Sequence, residues 1–399
     1  MKANRFVCFV VVMIFMISCS LNKQPEGSLP YIDITKNYAE KEIILTDIAE
    51  VTYLHLNTDN DDYLYKGSIR YVRDNTIIIL DDISGSILFF SKDGNPKSRF
   101  NHYGAGPEEY NTKGRDISSL IYDETEDEIF VGAFNWILVY SSAGEYKRKI
   151  ILPQGIRASI VDYDNQSLFV YDGQRQFKKL VQQIDSIPQL NDSSYFRISK
   201  TDGRVLDYVI VPSNDIDLTE CGGMKVLRNF GNIRKCAAGL LLCNPETDTV
   251  FLYKSDKSLI PVFYKKPLVN NTYPKVILNH FMDIGRYQIL LITKLFNFDD
   301  EIKKNPHEYY MRDKQTGELF RQKVVLPDYK GKELFISAQK MFYSGLTFNG
   351  KETLAHFELD LIELKQAYRE NKLSGKLKEL VAILNEDTDN NVFMLVHFK

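Results

Sequence analysis

Residues that often mark chemistry are scarce in this chain, which has 5 cysteines, 6 histidines and 1 tryptophan among 399 residues. No two histidines lie four residues apart and no cysteines have C-x-x-C spacing, so neither a metal nor a cofactor is expected. Neither a G-x-G-x-x-G nor a Gly-Lys-Ser/Thr motif occurs, which argues against nucleotide binding. We expect burial for the three cysteines of the folded part, with one disulfide left open: Cys221, Cys236 and Cys243.

Positive charge is not in excess either. Lys and Arg number 50 against 53 Asp and Glu, and no basic run stands out, so nucleic acid is not an expected partner. Aromatic residues are plentiful, with 24 Tyr and 24 Phe. Because these residues favour half-buried strands, we expect a β-rich fold.

The main long apolar run lies at the amino terminus. Lys2 and Arg5 precede an unbroken apolar stretch of twelve residues, 6–17. A transmembrane helix needs about 20 apolar residues, so this stretch is too short to span a bilayer. We therefore predict that residues 1–18 are a signal peptide that is removed on export.

The stretch ends in Met16-Ile17-Ser18-Cys19, which resembles a bacterial lipobox. Lipid on Cys19 would hold the protein at a membrane surface, with residues 19–41 as a tether. The alternative is a cleaved secretory peptide with an incidental cysteine. No acidic cluster of the kind that accompanies surface display in Bacteroidetes lipoproteins follows Cys19, which slightly favours the periplasmic side of the cell envelope over the cell surface.

The body of the chain repeats itself. Residues 76–94 have a strand, a polar turn, a second strand and an Asp-Gly hairpin signal, and residues 128–144 repeat this pattern. Phe90 and Tyr140, like Gly94 and Gly144, are 50 positions apart. Weaker copies surround Gly203, Asp256 and Gly317. Four-stranded antiparallel units at this period predict an all-β, six-bladed β-propeller over residues 42–399, with five or seven blades left open by counting.

The carboxyl-terminal fifth differs from the rest. Apolar residues recur at helical spacing at Leu377, Val381 and Leu384, which predicts a helical insertion within residues 358–386. The chain then ends in an apolar strand, residues 392–398. We expect this strand to complete a blade begun by residues 43–56, which would close the ring.

Four stretches carry a family resemblance: residues 44–51, Gly104-Ala-Gly-Pro-Glu-Glu-Tyr110, Asp248-Thr-Val-Phe251 and Asp389-Asn-Asn-Val392. They resemble the six-bladed β-propeller lipoproteins abundant in Bacteroidetes, which are distantly similar to NHL-repeat propellers. Glu108 stands where that family usually has Gly, and Asn391 where it usually has Pro. The resemblance implies an envelope-anchored propeller and brings no established reaction or ligand.

The glycine-proline loop is better explained as structure than as a phosphate cradle, because Pro107 makes a rigid turn. We predict a connection between blades in which Glu109 and Tyr110 hydrogen-bond the backbone. The structural residues of this loop are Gly104, Gly106, Pro107, Glu109 and Tyr110.

Candidate ligand-binding residues are few. Asp81 and Asp82 end a strand at a turn, and Arg115 either lines the channel or forms an ion pair between blades. Trp136 either stacks on a sugar or peptide or packs against the neighbouring blade. The acidic residues within 123–128 are predicted to form a solvated hairpin.

These patterns favour a binding or scaffold module for a glycan, a peptide or a protein partner. The alternative is a lyase or hydrolase, since a propeller can assemble a site at its channel mouth from distant blades. Convergence of His102 or His280 with Asp81, Asp82 or Arg115 would support that alternative.

Overall fold

The computed structural model describes residues 28–58, 61–73, 75–110, 117, 119–133, 135–153, 156, 159–172, 193–212, 232–244, 247–295, 307–334, 346–348 and 353–399. Cys19, Arg115 and Cys221, with the predicted signal peptide, lie outside these residues. Within them, no helix is both long and apolar enough to cross a membrane.

In the part of the chain that the structure describes, six sheets make up the fold. Three strands come first in the chain: β1 (Tyr31–Asp33), β2 (Glu40–Ile44) and β3 (Ala49–His55). Blade 1 is β4 (Gly67–Arg73), β5 (Thr76–Asp81), β6 (Ile87–Ser91) and β7 (Pro96–Phe100). Blade 2 is β8 (Ser119–Asp123), β9 (Glu128–Gly132), β10 (Trp136–Tyr140) and β11 (Tyr146–Ile151). Blade 3 is β12 (Ser159–Tyr163), β13 (Ser167–Tyr171), β14 (Tyr195–Ser199) and β15 (Val205–Val209).

The remaining blades add to this plan. Blade 4 is β16 (Asn232–Cys236), β17 (Gly239–Cys243), β18 (Thr249–Tyr253) and β19 (Leu259–Lys266). Blade 5 is β20 (Lys275–Ile284), β21 (Tyr287–Leu295), β22 (His307–Asp313) and β23 (Leu319–Val325), with β24 (Glu333–Leu334) paired to β23. Blade 6 is β25 (Leu346–Phe348), β26 (Thr353–Leu359), β27 (Val392–Phe398) and β3.

Among the described residues, an apolar cluster joins each blade to the next, including blade 6 to blade 1. Successive side chains of a strand point to opposite faces of its sheet, so each blade contributes to two clusters. Ile78 and Leu80 of β5 pack toward blade 2, whereas Ile77 and Ile79 pack toward blade 6. Every residue of β5 is therefore buried. The sheets form a closed ring, which confirms the predicted fold class.

The ring closes through strands from the two ends of the body. β27 pairs antiparallel with β3, and Val392 lies opposite His55, as predicted. The predicted opening strand, however, is not continuous. It ends at Ile44 and resumes at Ala49, because α1 (Leu45–Ile48) buries Leu45 and Ile48 in the cluster between blades 5 and 6.

The segment before this closure is also ordered against the ring. β1 adds parallel to β19 of blade 4, and β2 adds parallel to β23 of blade 5. These two blades therefore carry an extra outer strand beyond the predicted four. The pairing extends the folded part of the described chain to Tyr31, within the stretch expected to be a tether.

The 50-residue repeat has a steric basis in the turn between the third and fourth strands of a blade. Gly94 and Gly144 occupy this turn with φ of +82° and +87°, a region that favours glycine. A Cβ on Gly144 would lie 2.5 Å from the Cβ of Phe100 at the end of blade 1. The turn of one blade thus packs closely on the end of the previous blade.

Two helices lie between β26 and β27, within the predicted helical insertion: α2 (Leu361–Arg369) and α3 (Gly375–Ile383). The Asp360 carboxylate caps α2 by accepting a hydrogen bond from the Glu363 amide (2.9 Å). The buried faces of both helices pack in the cluster between blades 5 and 6.

Candidate functional site

The glycine-proline loop is held together by its own hydrogen bonds. The buried Tyr110 hydroxyl accepts from the His102 amide (2.9 Å) and donates to the Gly85 carbonyl (2.8 Å). The Glu109 carboxylate accepts from the Gly106 amide (2.8 Å) and lies where a side chain on Gly104 would be. Both side chains thus make the backbone contacts expected of them, in the connection from blade 1 to blade 2.

His102 belongs to the same connection. Its Nε2 donates to the Gly144 carbonyl (2.6 Å), and its ring stacks on Tyr140 with centroids 4.9 Å apart. The contact with Asp81 or Asp82 that would support catalysis is not among the interactions that the described residues show for His102. Arg115 and the side chain of His280 lie outside the described part.

Asp81 also has a structural position. Its carboxylate accepts hydrogen bonds from the Ile83 amide (3.0 Å) and the Ser84 hydroxyl (2.6 Å), which fix the turn after β5. Its neighbour Asp82 lies 3.8 Å from the guanidinium of Arg70 on β4. The two predicted acids thus separate: Asp81 shapes the turn and Asp82 faces another charged side chain.

Trp136 is the first residue of β10 rather than part of a turn. Its ring is half-buried against the apolar cluster between blades 1 and 2, and the Lys149 ammonium lies 4.2 Å from the ring centroid. Of the two sequence interpretations, packing against the neighbouring blade describes its contacts.

Polar side chains collect instead where the ring closes. We call this group the closing-joint cluster; blades 1 and 6 contribute Tyr65, Arg70, Asp82, His356 and Glu358. Glu358 and His356 lie on β26 opposite Phe393 and Leu395, which pack toward blade 1. The Tyr65 ring stacks on Phe393 with centroids 6.4 Å apart. The side chains of Arg70 and Asp82 are each 14% exposed, so solvent reaches the cluster.

Burial controls the ionisation of this cluster. It raises the pKa of Glu358, against a hydrogen bond from Asn391 (2.7 Å), and the carboxylates of Asp360 and Asp82 raise it further. Burial also lowers the pKa of His356 to about 3, so this imidazole is neutral at physiological pH. The cluster thus combines the Glu358 carboxyl, whose protonated form is favoured by burial, with the Asp82 carboxylate and the Arg70 guanidinium.

Tyr65 is the most informative member. Burial, followed by the charge of Glu358, raises its pKa well above the ordinary value. Its hydroxyl is inaccessible to solvent, and no hydrogen-bond partner for it occurs in the described part of the chain. Buried polar groups normally have a partner, so this hydroxyl has an unused capacity to donate and to accept.

Two motifs of the family resemblance also have structural positions. Asp248 accepts hydrogen bonds from the Val269 amide (3.0 Å) and from buried Lys265 (2.7 Å), which hold the connection from blade 4 to blade 5. The Asn390 amide donates to the Tyr63 carbonyl (3.0 Å) and Leu56 carbonyl (3.3 Å), across the ring closure.

One strong interaction was missed by sequence analysis. Asp123 is not in a solvated hairpin: it is 4% exposed and lies 2.7 Å from the ammonium of buried Lys200 in blade 3. The two residues are 77 positions apart, so local acidity gave no sign of the pair. Strand alternation gives no sign of it either, because Tyr122 and Asp123, consecutive at the end of β8, are both buried.

Among the described residues, no group of three or more His, Cys, Asp or Glu side chains is placed to hold a metal ion. Cys236 is half-buried and Cys243 buried, both as free thiols. Burial raises the pKa of the Cys243 thiol to about 12, against the nearby charge of Arg234. This thiol is therefore protonated and unreactive at neutral pH.

The closed ring of six antiparallel sheets, with its joints between successive blades, defines a six-bladed β-propeller. The comparisons agree: residues 20–206, somewhat less than half of the chain, match a family model described as 6-bladed beta-propeller. No curated protein matches the sequence.

One solved structure shares the fold, and two others match the chain more distantly. A protein of Bacteroides fragilis NCTC 9343, described as exported, is 17% identical, with a TM-score of 0.62 over 92% of this chain and 99% of that chain. A streptogramin B lyase is 10% identical, with a TM-score of 0.41 over 88% of this chain and 99% of that chain. Virginiamycin B lyase from Staphylococcus aureus is 12% identical, with a TM-score of 0.36 over 70% and 75%. The first of these matches supports the fold alone, and the two lyases, with TM-scores below 0.5, carry no argument.

Proposed function

We propose that this propeller is a ligand-binding module of the cell envelope and that the closing-joint cluster is its binding site. The observation that carries the proposal is the buried Tyr65 hydroxyl, which has no hydrogen-bond partner among the described residues. The hydroxyl itself is closed to solvent, so a ligand hydroxyl or amide would supply that partner by entering past Arg70 and Asp82, whose side chains are each 14% exposed. These two residues and Glu358 would offer further donors and acceptors around it. Glycans and peptides both carry such groups.

Anchoring to a membrane through lipid on Cys19 is part of the same proposal. The signal-like amino terminus supports it, and so does the fold shared with a protein described as exported. The periplasmic side is slightly favoured over the cell surface. Labelling with radioactive palmitate tests the anchor: the wild-type protein should take up label and Cys19→Ser should not.

Ligand binding is tested by thermal unfolding of residues 20–399 against a panel of oligosaccharides and short peptides. A ligand of the folded state alone adds about 2.7 kcal/mol at 100 times its dissociation constant, which raises the melting temperature measurably. Tyr65→Phe and Asp82→Asn should each reduce this shift. Glu318→Gln, at an exposed ion pair of blade 5, is the control and should leave it unchanged.

A shift that persists in Tyr65→Phe and Asp82→Asn would place the ligand elsewhere. The absence of any shift across the panel would contradict ligand binding of these classes.

The alternative is a lyase or hydrolase with a site at the channel mouth, and one observation favours it. Burial and neighbouring carboxylates raise the pKa of Glu358, as in many general acids and bases. Turnover of a ligand that shifts the melting temperature, lost in Glu358→Gln, would establish this alternative. Binding without turnover would establish the binding module.

A further inference from the structure

The blades differ in whether their outer edge pairs with an added strand. Blades 4 and 5 have theirs extended by β1 and β2. In the part of the chain that the structure describes, β7, β11 and β15 each end their sheet. The backbone groups along such an edge pair readily with another strand, so natural sheets usually protect them.

Equivalent positions in blades 1 to 3 show which of these outer edges carry charged side chains that protect them. Three and five residues after the turn glycine, blade 1 has Lys97 and Arg99, and blade 2 has Lys147 and Lys149. Charged side chains of this kind oppose the pairing of an incoming strand. Blade 3 has apolar residues at the same two positions, where Leu206 and Tyr208 are 44% and 40% exposed. The next alternate position is apolar and exposed in blade 2 as well as in blade 3, so the first two positions carry the difference.

We propose that the outer edge of β15 binds an extended segment of a partner protein, which adds to blade 3 as a fifth strand. Blade 4, next to blade 3, already has an added outer strand of this kind. β1 lies parallel on β19, where its Ile32 is fully buried and Tyr31 packs on Tyr264 with ring centroids 5.1 Å apart. A partner segment with apolar residues at alternate positions would pack on Leu206 and Tyr208 in the same way.

The backbone of β15 is consistent with this arrangement. The Tyr208 amide donates to the carboxylate of its neighbour Asp207 (2.9 Å), which in turn pairs with Lys257 (2.8 Å). This amide therefore has a local side chain as its acceptor. A carbonyl of the incoming strand would take that place, as in other ladders.

The test uses the full mature chain and a fluorescein-labelled octapeptide, Lys-Thr-Val-Thr-Val-Thr-Val-Lys, with binding followed by fluorescence anisotropy. Leu206→Lys/Tyr208→Lys gives blade 3 the charged pattern of blade 2 and should weaken binding at least tenfold. Leu268→Lys/Tyr273→Lys removes two other exposed apolar side chains, 51% and 85% exposed, and should not change it. A peptide methylated on alternate backbone amides should not bind.

Equal binding by the wild-type chain and Leu206→Lys/Tyr208→Lys, or no binding at all, would overturn the proposal. Light scattering tests whether a second copy of this chain binds the edge instead. If the wild-type chain is a dimer and Leu206→Lys/Tyr208→Lys is a monomer, the edge binds a second copy and the partner-segment proposal is wrong. Tyr65→Phe and Asp82→Asn should bind the octapeptide normally, which separates this surface from the closing-joint cluster.

Discussion

The joint between blades 2 and 3 and the joint between blades 6 and 1 both place charged groups between sheets, with different geometry. In the first, the side chains of Asp123 and Lys200 are 6% and 7% exposed and their charged atoms are only 2.7 Å apart. In the second, Arg70 and Asp82 are 3.8 Å apart and Glu358 has a raised pKa. A tight pair satisfies both of its charges within the fold, whereas the looser group keeps solvent access and adds an unsatisfied hydroxyl.

This difference is why we assign the first joint to structure and propose the second as a binding site. Removing one partner of a tight buried pair leaves an uncompensated charge, so such pairs are sensitive to substitution. The closing-joint cluster combines a carboxyl whose ionised form is disfavoured with an imidazole held neutral, both of which reduce stability over part of the pH range. Groups that cost stability in this way are typical of binding and catalytic sites.

The largest expected effect is at the tight joint. Lys200→Met leaves the Asp123 carboxylate buried without its partner and should lower the free energy of unfolding by about 3–5 kcal/mol. Urea unfolding measures it. Lys41→Met is the matched control, because Lys41 and Glu318 are 2.8 Å apart but 50% and 42% exposed, and it should cost less than about 1 kcal/mol. An equal loss in the free energy of unfolding in the two variants would show that the buried pair is no more important to stability than the exposed pair.

A second expected effect is pH-dependent and confined to the closing joint. The pKa of His356 is about 3 in the folded chain, below its ordinary value. As the pH falls below about 6.5, the unfolded chain takes up a proton that the folded chain does not, so stability falls by about 1.4 kcal/mol per pH unit. Between pH 7.5 and 5.0 we expect about 2 kcal/mol of this loss to be absent in His356→Leu.

Unfolding of both chains at the two pH values measures this difference. An identical pH dependence in the wild-type chain and His356→Leu would show that the imidazole is not held neutral.

The smallest expected effect concerns Glu358. Because its pKa is raised in the folded chain, the protonated carboxyl stabilises the fold at low pH, and this contribution is lost as the pH rises from about 4.5 through the folded pKa. Glu358→Gln should therefore gain stability relative to the wild-type chain between pH 5 and pH 8, by less than about 1 kcal/mol. A relative loss over that range would mean that the ionised carboxylate is favoured in the joint.

The ring of blades could be predicted from the sequence because the signals for its strands and turns are local and repeated. Gly94 and Gly144 mark the same turn in two blades, and the last strand is apolar enough to require a partner. The site was less accessible, since Asp82 and Glu358 are 276 positions apart and meet only because the ring closes. Asp82 was a candidate on its position at a strand end, but nothing near Tyr65 or Glu358 in the chain marks them as neighbours.

The route of β1, β2 and β3 past three successive blades also affects the order of assembly. The first strands of the body to be synthesised pair with strands made much later, and Lys399 bonds the Thr46 carbonyl from 353 positions away. Contacts of such high sequence separation form slowly, and unpaired strands exposed in the meantime are prone to aggregate. The early segment is therefore unprotected until almost the whole chain has been made, so we expect the incomplete, nascent chain to be the form of this protein most prone to aggregate.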